Sequence, residues 1–182
     1  QQMQILTPMN VPWSMSNSAA ILSMPQAHGE LIRPGIMLYG ASPIQNRSAV
    51  DLQLSHVMTL RSNVIALHNV RAGESVGYGQ AFVASQDCTI AVVAIGYGDG
   101  YPRSAQPGTP VVIGGQKCPL VGRVSMDMIT VDVSRCQVKL GDSATLWGMG
   151  LSVDEVATFC STLSYELFCQ LTQRVKFQYL GR

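Results

Sequence analysis

From Val57 to Leu146 the chain repeats one pattern: a short apolar run, then a turn bearing Gly or Pro, then another run. The runs "VMTLRSNVIAL" and "CTIAVVAIGY" are rich in β-branched residues, which suit a pleated surface, and "DMITVDVS" alternates with the period of a half-buried strand. Between them "AGESVGYG", "GYGDGYP", "QPGTP", "IGGQK" and "LGDS" turn the chain at short intervals. This rhythm predicts a mainly β, barrel-like or sandwich domain.

The two ends read differently. Ser152 and Glu155 stand in capping-box spacing, and Val153, Val156, Ala157 and Cys160 follow at helical intervals, so one or two short helices should end the β region. At the front, "SNSAAILSMPQAHGELIRPGIMLYGASP" holds a short apolar run and a Pro34-Gly35 pair but no core of its own. Residues 1–50 therefore read as the tail of a larger element and residues 51–182 as the β domain, with the boundary in 45–56.

Twelve basic residues balance eleven acidic ones without any basic run, which excludes a nucleic-acid footprint. No run of 18 apolar residues is present, and "QQMQILTPMN" lacks the basic and apolar regions of a signal peptide, so a chain without membrane contact is expected. Cys88, Cys118, Cys136, Cys160 and Cys169 are odd in number and show neither Cys-x-x-Cys nor His spacing. The expectation is reduced thiols, no metal site and a cytoplasmic location. His28, His56 and His68 lie among unremarkable neighbours.

A few stretches could carry chemistry. Asn17 and Ser18 precede small residues, and Arg33 adjoins Pro34-Gly35, where a glycine lets backbone N–H groups approach an anion. Tyr78 and Tyr97 are phenols set between glycines; each reads on its own as a corner tyrosine. A phenol ordinarily titrates near ~10, so work as a base at neutral pH needs a cationic neighbour supplying about 3 to 4 kcal/mol. Met126 and Asp127 stand at the head of the best alternating run, with Met126 and Met128 on one face and Asp127 and Ile129 on the other. An Asp at that place is anomalous for a plain strand.

In order, "SNSAA", "RPGIMLYG", "VGYG", "GYGDGYPR", "VGRVSMDM" and "SYEL" resemble the C-terminal half of bacterial alanine racemase, a pyridoxal-phosphate enzyme of fold type III; the likeness runs from about residue 14 to 175. The resemblance implies that residues 1–50 are the last part of an α/β (TIM-type) barrel and that the rest is the family's β domain. It implies a homodimer with shared active sites that interconverts L- and D-alanine, a peptidoglycan precursor. Ser18 and the amides of Gly35 and Ile36 would hold the cofactor phosphate, with Asn17 beside them and the Tyr165 hydroxyl adding a donor. Arg33 would face the pyridine nitrogen. A guanidinium does not give up its proton near neutrality, so the ring stays a weaker electron sink, which favours return of a proton to Cα. Tyr78 would be one of two acid–base groups, Tyr97 would stand at the substrate entrance, and the Met126 backbone would hold the substrate carboxylate, all on the partner's cofactor.

Three departures accompany the likeness. Ser125 stands where many relatives have Cys, and Ser14 where some have a histidine that braces the arginine, so the sequence does not show what orients Arg33. The greater part of the barrel, with its cofactor lysine, has no counterpart. Lys117, Lys139 and Lys176 are the only lysines, and none lies in a segment like the one that attaches the cofactor. The chain thus reads as a piece of a longer enzyme, inactive alone. Alternatives are a β module serving only dimerisation or interaction, and a racemase of another amino acid such as serine or lysine, or one of broad specificity.

Overall fold

Six strands close an antiparallel barrel in the order β1-β4-β7-β6-β5-β8 in the computed structural model, which describes residues 12–181. They are β1 (Leu60–Val70), β4 (Cys88–Val93), β5 (Pro110–Ile113), β6 (Gln116–Val121), β7 (Ile129–Asp132) and β8 (Ser143–Trp147). Closure depends on β1, eleven residues long, whose first part pairs with β8 and whose later part pairs with β4. Each pairing contains a register shift, between Leu60 and Arg61 against β8 and between Val64 and Ala66 against β4. Such bulges raise the local twist and let one strand serve two neighbours.

The alternation read from the sequence fills the barrel. Val64, Val93, Val111, Ile113, Leu120, Ile129, Val131 and Leu146 are all buried. Trp147 and Tyr101 are buried as well and stack with ring centroids 6.2 Å apart. Neither the Tyr101 hydroxyl nor the Trp147 Nε1 has a hydrogen-bond partner among the described residues. Burial, with the Cys160 thiol adding to it, pushes the Tyr101 phenol well above its usual range.

A two-stranded ribbon, β2 (Ser75–Val76) with β3 (Phe82–Val83), stands on the barrel. Val76 and Phe82, directly opposite each other, pack on a cluster of Val70, Ala84, Cys88, Ile90 and Val121. After the barrel come α2 (Val153–Phe159) and α3 (Ser164–Cys169). Ser152 caps α2 by accepting the Asp154 N–H at 3.2 Å. Glu155 is at the capping-box position, yet its carboxylate binds the Lys117 ammonium at 2.7 Å.

One expectation fails in detail. The alternating run does not become a strand at Met126; β7 begins at Ile129. Ser125 closes a turn over that segment, its N–H and hydroxyl both donating to the Met128 carbonyl, at 3.1 and 2.7 Å, while its Oγ accepts the Met128 N–H at 3.2 Å. A local side-chain turn outcompetes the ladder there.

The described residues divide into two compact units, the first ending at Val57 and the second beginning at Met58. The first unit holds α1 (Ser18–Ser23) and two 3-10 turns, Pro25–Ala27 and Ile36–Tyr39. Among the described residues no helix is long and apolar enough to cross a membrane.

All five cysteines are free thiols. Desolvation pushes Cys118 up to about 12, with the neighbouring Cys136 adding to it, and Cys160 up to about 11. A raised pKa keeps a thiol protonated, and three units remove about a thousandfold of the reactive thiolate. At pH 8 iodoacetamide should therefore label exposed Cys169 first and leave Cys118 and Cys160 unmodified until the chain unfolds. Mass spectrometry of timed digests checks this; labelling of Cys118 as fast as Cys169 would show an open barrel.

Candidate active site

Tyr78 sits at the tip of the β2–β3 ribbon, in a turn over Tyr78–Gln80. Gly77 and Gly79 on either side have φ of +81° and +67°, a left-handed backbone that side chains disfavour. The turn throws the phenol outward, and Tyr78 is 77% exposed. It is no packed corner tyrosine. Its ribbon is held below by Val76 and Phe82, so the phenol is exposed on an anchored base. Arg123 supplies a cation at this turn: its Nη1 lies 4.0 Å from where a Cβ on Gly79 would be.

Tyr97 and Met126 are brought together. Tyr97 begins a 3-10 turn, Tyr97–Asp99, just after β4, and Met126 lies in the turn before β7, and those two strands pair side by side. The Tyr97 N–H donates to Ser125 O at 3.0 Å and the Gly98 N–H to Met126 O at 2.8 Å. The approach leaves no room for a side chain at Gly96, where a Cβ would lie 2.3 Å from Ser125 O and 2.4 Å from Met126 O. Met126 keeps its own N–H unused by any acceptor among the described residues, and Arg103 lies over the Tyr97 ring, 5.8 Å from its centroid.

A third arginine was not singled out in the sequence. Arg174 reaches Asp99 Oδ1 through Nε at 3.1 Å and Asp127 Oδ1 through Nη2 at 2.6 Å. Asp127, the anomalous Asp, is thus half of a bridge between the Tyr97 and Met126 turns. It was the one trace of this arrangement in the sequence.

In the first unit, Asn17 caps α1, its Oδ1 accepting the Ala20 N–H at 3.0 Å. Ser18 is buried, and its Oγ accepts the N–H groups of Gly35 at 2.8 Å and Met37 at 3.4 Å. The Ser18 hydroxyl thereby meets the start of the Ile36–Tyr39 turn with these two amides donated to it and its own O–H left to donate. Arg33 is tied to Asn17 by a parallel bridge, and its N–H donates to Ser16 O at 2.7 Å. Its guanidinium is oriented by backbone, Nη2 donating to Met15 O at 3.1 Å, which answers what Ser14 left open. Tyr165 belongs to the second unit, half-exposed on the first turn of α3. Among the described residues no three His, Cys, Asp or Glu side chains gather as metal ligands.

The family model described as the alanine racemase C-terminal domain matches residues 57–179, and the one for the N-terminal domain matches residues 2–43. The alanine racemase of Alcanivorax borkumensis is 55% identical over 168 residues, covering 91% of this chain and 47% of that protein. The biosynthetic alanine racemase of Pseudomonas aeruginosa is 51% identical over 167 residues, again 91% of this chain and 47% of its own. The crystal structure of a biosynthetic alanine racemase from P. aeruginosa superposes with a TM-score of 0.93 at 47% identity, over 98% of this chain and 51% of that one. The Bartonella henselae enzyme, described with covalently bound pyridoxal phosphate, superposes at 0.86 with 31% identity, over 98% and 50%. The chain spans about half the length of the curated relatives it matches.

Proposed function

Because the chain belongs to the alanine racemase family, we propose that it furnishes the C-terminal part of a racemase for alanine, active as a dimer with pyridoxal 5'-phosphate. The observation that carries this reading is the second unit's set of exposed groups on rigid turns: Tyr78 between left-handed glycines, and Tyr97 hydrogen-bonded through its turn to Met126. Residues of this kind, outward-facing yet held, suit a substrate that arrives from another subunit.

The residues present fit the cofactor. Ser18 and the Ile36 amide would hold its phosphate, and Asn17 fixes the helix start beside them; the Gly35 N–H is donated to Ser18 Oγ. Arg33 would face the ring nitrogen and, being permanently protonated, would donate a hydrogen bond without transferring a proton. Bound there, the cofactor supplies an electron sink that acidifies the Cα proton of the amino acid. With the cofactor held by a partner subunit, the Met126 N–H would hold the substrate carboxylate, the Tyr97 phenol would stand at the entrance, and the Tyr78 oxygen would take or return the Cα proton on one face. Arg123 lies against the same turn. The group on the opposite face, and the lysine that attaches the cofactor, come from sequence outside this chain; Lys117 is engaged with Glu155.

The test is a fused subunit, in which this chain replaces the matching C-terminal half of the P. aeruginosa enzyme. Loaded with pyridoxal phosphate, it should convert L- to D-alanine, while the 182-residue chain alone should not. D-alanine formed by the chain alone would overturn the need for an outside lysine. A folded but inactive fusion would favour the non-catalytic module.

A further inference from the structure

We propose that Arg174 is a positioning residue for the substrate carboxylate, clamping the Tyr97 turn to the Met126 turn and neutralising Asp127; this rests on the substrate roles proposed above for Tyr97 and Met126. The roots of the two turns are fixed, because β4 and β7 pair directly. Their tips lie at the surface, Tyr97 43% and Met126 52% exposed, and two backbone hydrogen bonds join them. Arg174 adds the side-chain link. Its guanidinium lies against the Tyr97 turn, since a Cβ on Gly98 would come within 2.3 Å of Nη1, and its fork takes one carboxylate from each turn. The other Asp99 oxygen accepts the Gly96 N–H at 2.9 Å, so the clamp passes into the backbone that carries Tyr97. Thr172 holds the arginine's own segment, its N–H donating to Asp99 O and its hydroxyl to Gly98 O.

Charge gives the second reason. Asp127 adjoins the Met126 N–H, where an anionic carboxylate is to bind, and an unpaired carboxylate there would repel it. Arg174 removes that repulsion. A lysine would reach one carboxylate at a time, whereas the planar fork reaches both. An ordinary surface ion pair would do neither, and at this exposure it would contribute little to stability. Stability and substrate binding should therefore separate.

The experiment puts Arg174→Gln and Arg174→Lys into the fused holoenzyme and measures steady-state kinetics, melting temperature and amide hydrogen exchange. The glutamine variant should raise KM for alanine by about tenfold with kcat within about twofold, the mark of lost ground-state binding. Exchange at Tyr97 and Gly98 should accelerate while the barrel strands and the melting temperature hold, and lysine should restore part of KM. Unchanged exchange and KM would overturn the proposal. A common fall in kcat and melting temperature would also overturn it, showing a merely structural arginine. An inactive unsubstituted fusion would overturn the underlying functional reading and this role with it, and only that outcome appears without any substitution.

Discussion

Tyr78→Phe in the fused racemase subunit is expected to cut kcat/KM for alanine by about 10²- to 10⁴-fold, the usual contribution of a positioned acid–base group. Stability should move by no more than about 0.5 kcal/mol, because the phenol is exposed and the ring stays. The finer readout is α-proton exchange. The two enantiomers have equal free energy, so kcat/KM must fall equally in both directions whichever face Tyr78 serves. Uptake of solvent deuterium at Cα has no such constraint. One enantiomer should go on exchanging through the group on the opposite face while the other nearly stops. Equal and small losses of exchange from both enantiomers would remove Tyr78 from the reaction.

A large stability effect is expected at Gly100. Its φ is +96°, and a Cβ there would lie 2.3 Å from Gln170 O and 2.7 Å from the Leu171 Cα. An alanine must take up the left-handed backbone, at about 1 to 2 kcal/mol, and also push away the chain that leads to Thr172 and Arg174. Gly100→Ala should cost about 3 kcal/mol or more, a fall of about 10 °C in melting temperature for a unit of this size. Gly115→Ala is the control, since its φ is +78° with nothing within 4 Å of the added carbon, and it meets the backbone penalty alone. Equal losses at the two positions would mean that the contact with Gln170 does not matter. Thermal unfolding followed by circular dichroism decides between them.

What could be read from the sequence was what is local. Alternation in "DMITVDVS" marks β7, the Gly-Gly of "IGGQK" turns β5 into β6, and Ser152 caps α2 where the spacing puts it. Each signal lies within a few residues, and the rule behind each is short-range. Closure into a barrel is not of that kind, because nothing near Leu60 says that Trp147 will be its partner. The same holds at the candidate site. Tyr78 and Tyr97 stood out because glycines flank them, but composition made each a packed tyrosine, and only the ordered motifs of a family reversed that. Arg174 carried no signal at all: its two carboxylates are 75 and 47 residues away in the chain. The start of β7 was misjudged because Ser125 looks like any strand-flanking polar residue until its hydroxyl is seen closing the turn.

The way β1 meets β8 also sets an order of events as the chain is made. Asn63 waits for Ser143 and Leu60 for Trp147, so the barrel's first strand emerges from a ribosome long before its last neighbour. In that interval β1, β4 and β7 can pair, while the row of amides and carbonyls at Leu60–Asn63 stays open, a template for strands of other chains. Closing so distant a pair also costs loop entropy before any contact returns it, which slows folding. The nascent polypeptide is therefore most vulnerable to aggregation just before residue 147 is released, and shielding by a chaperone would matter most at that length.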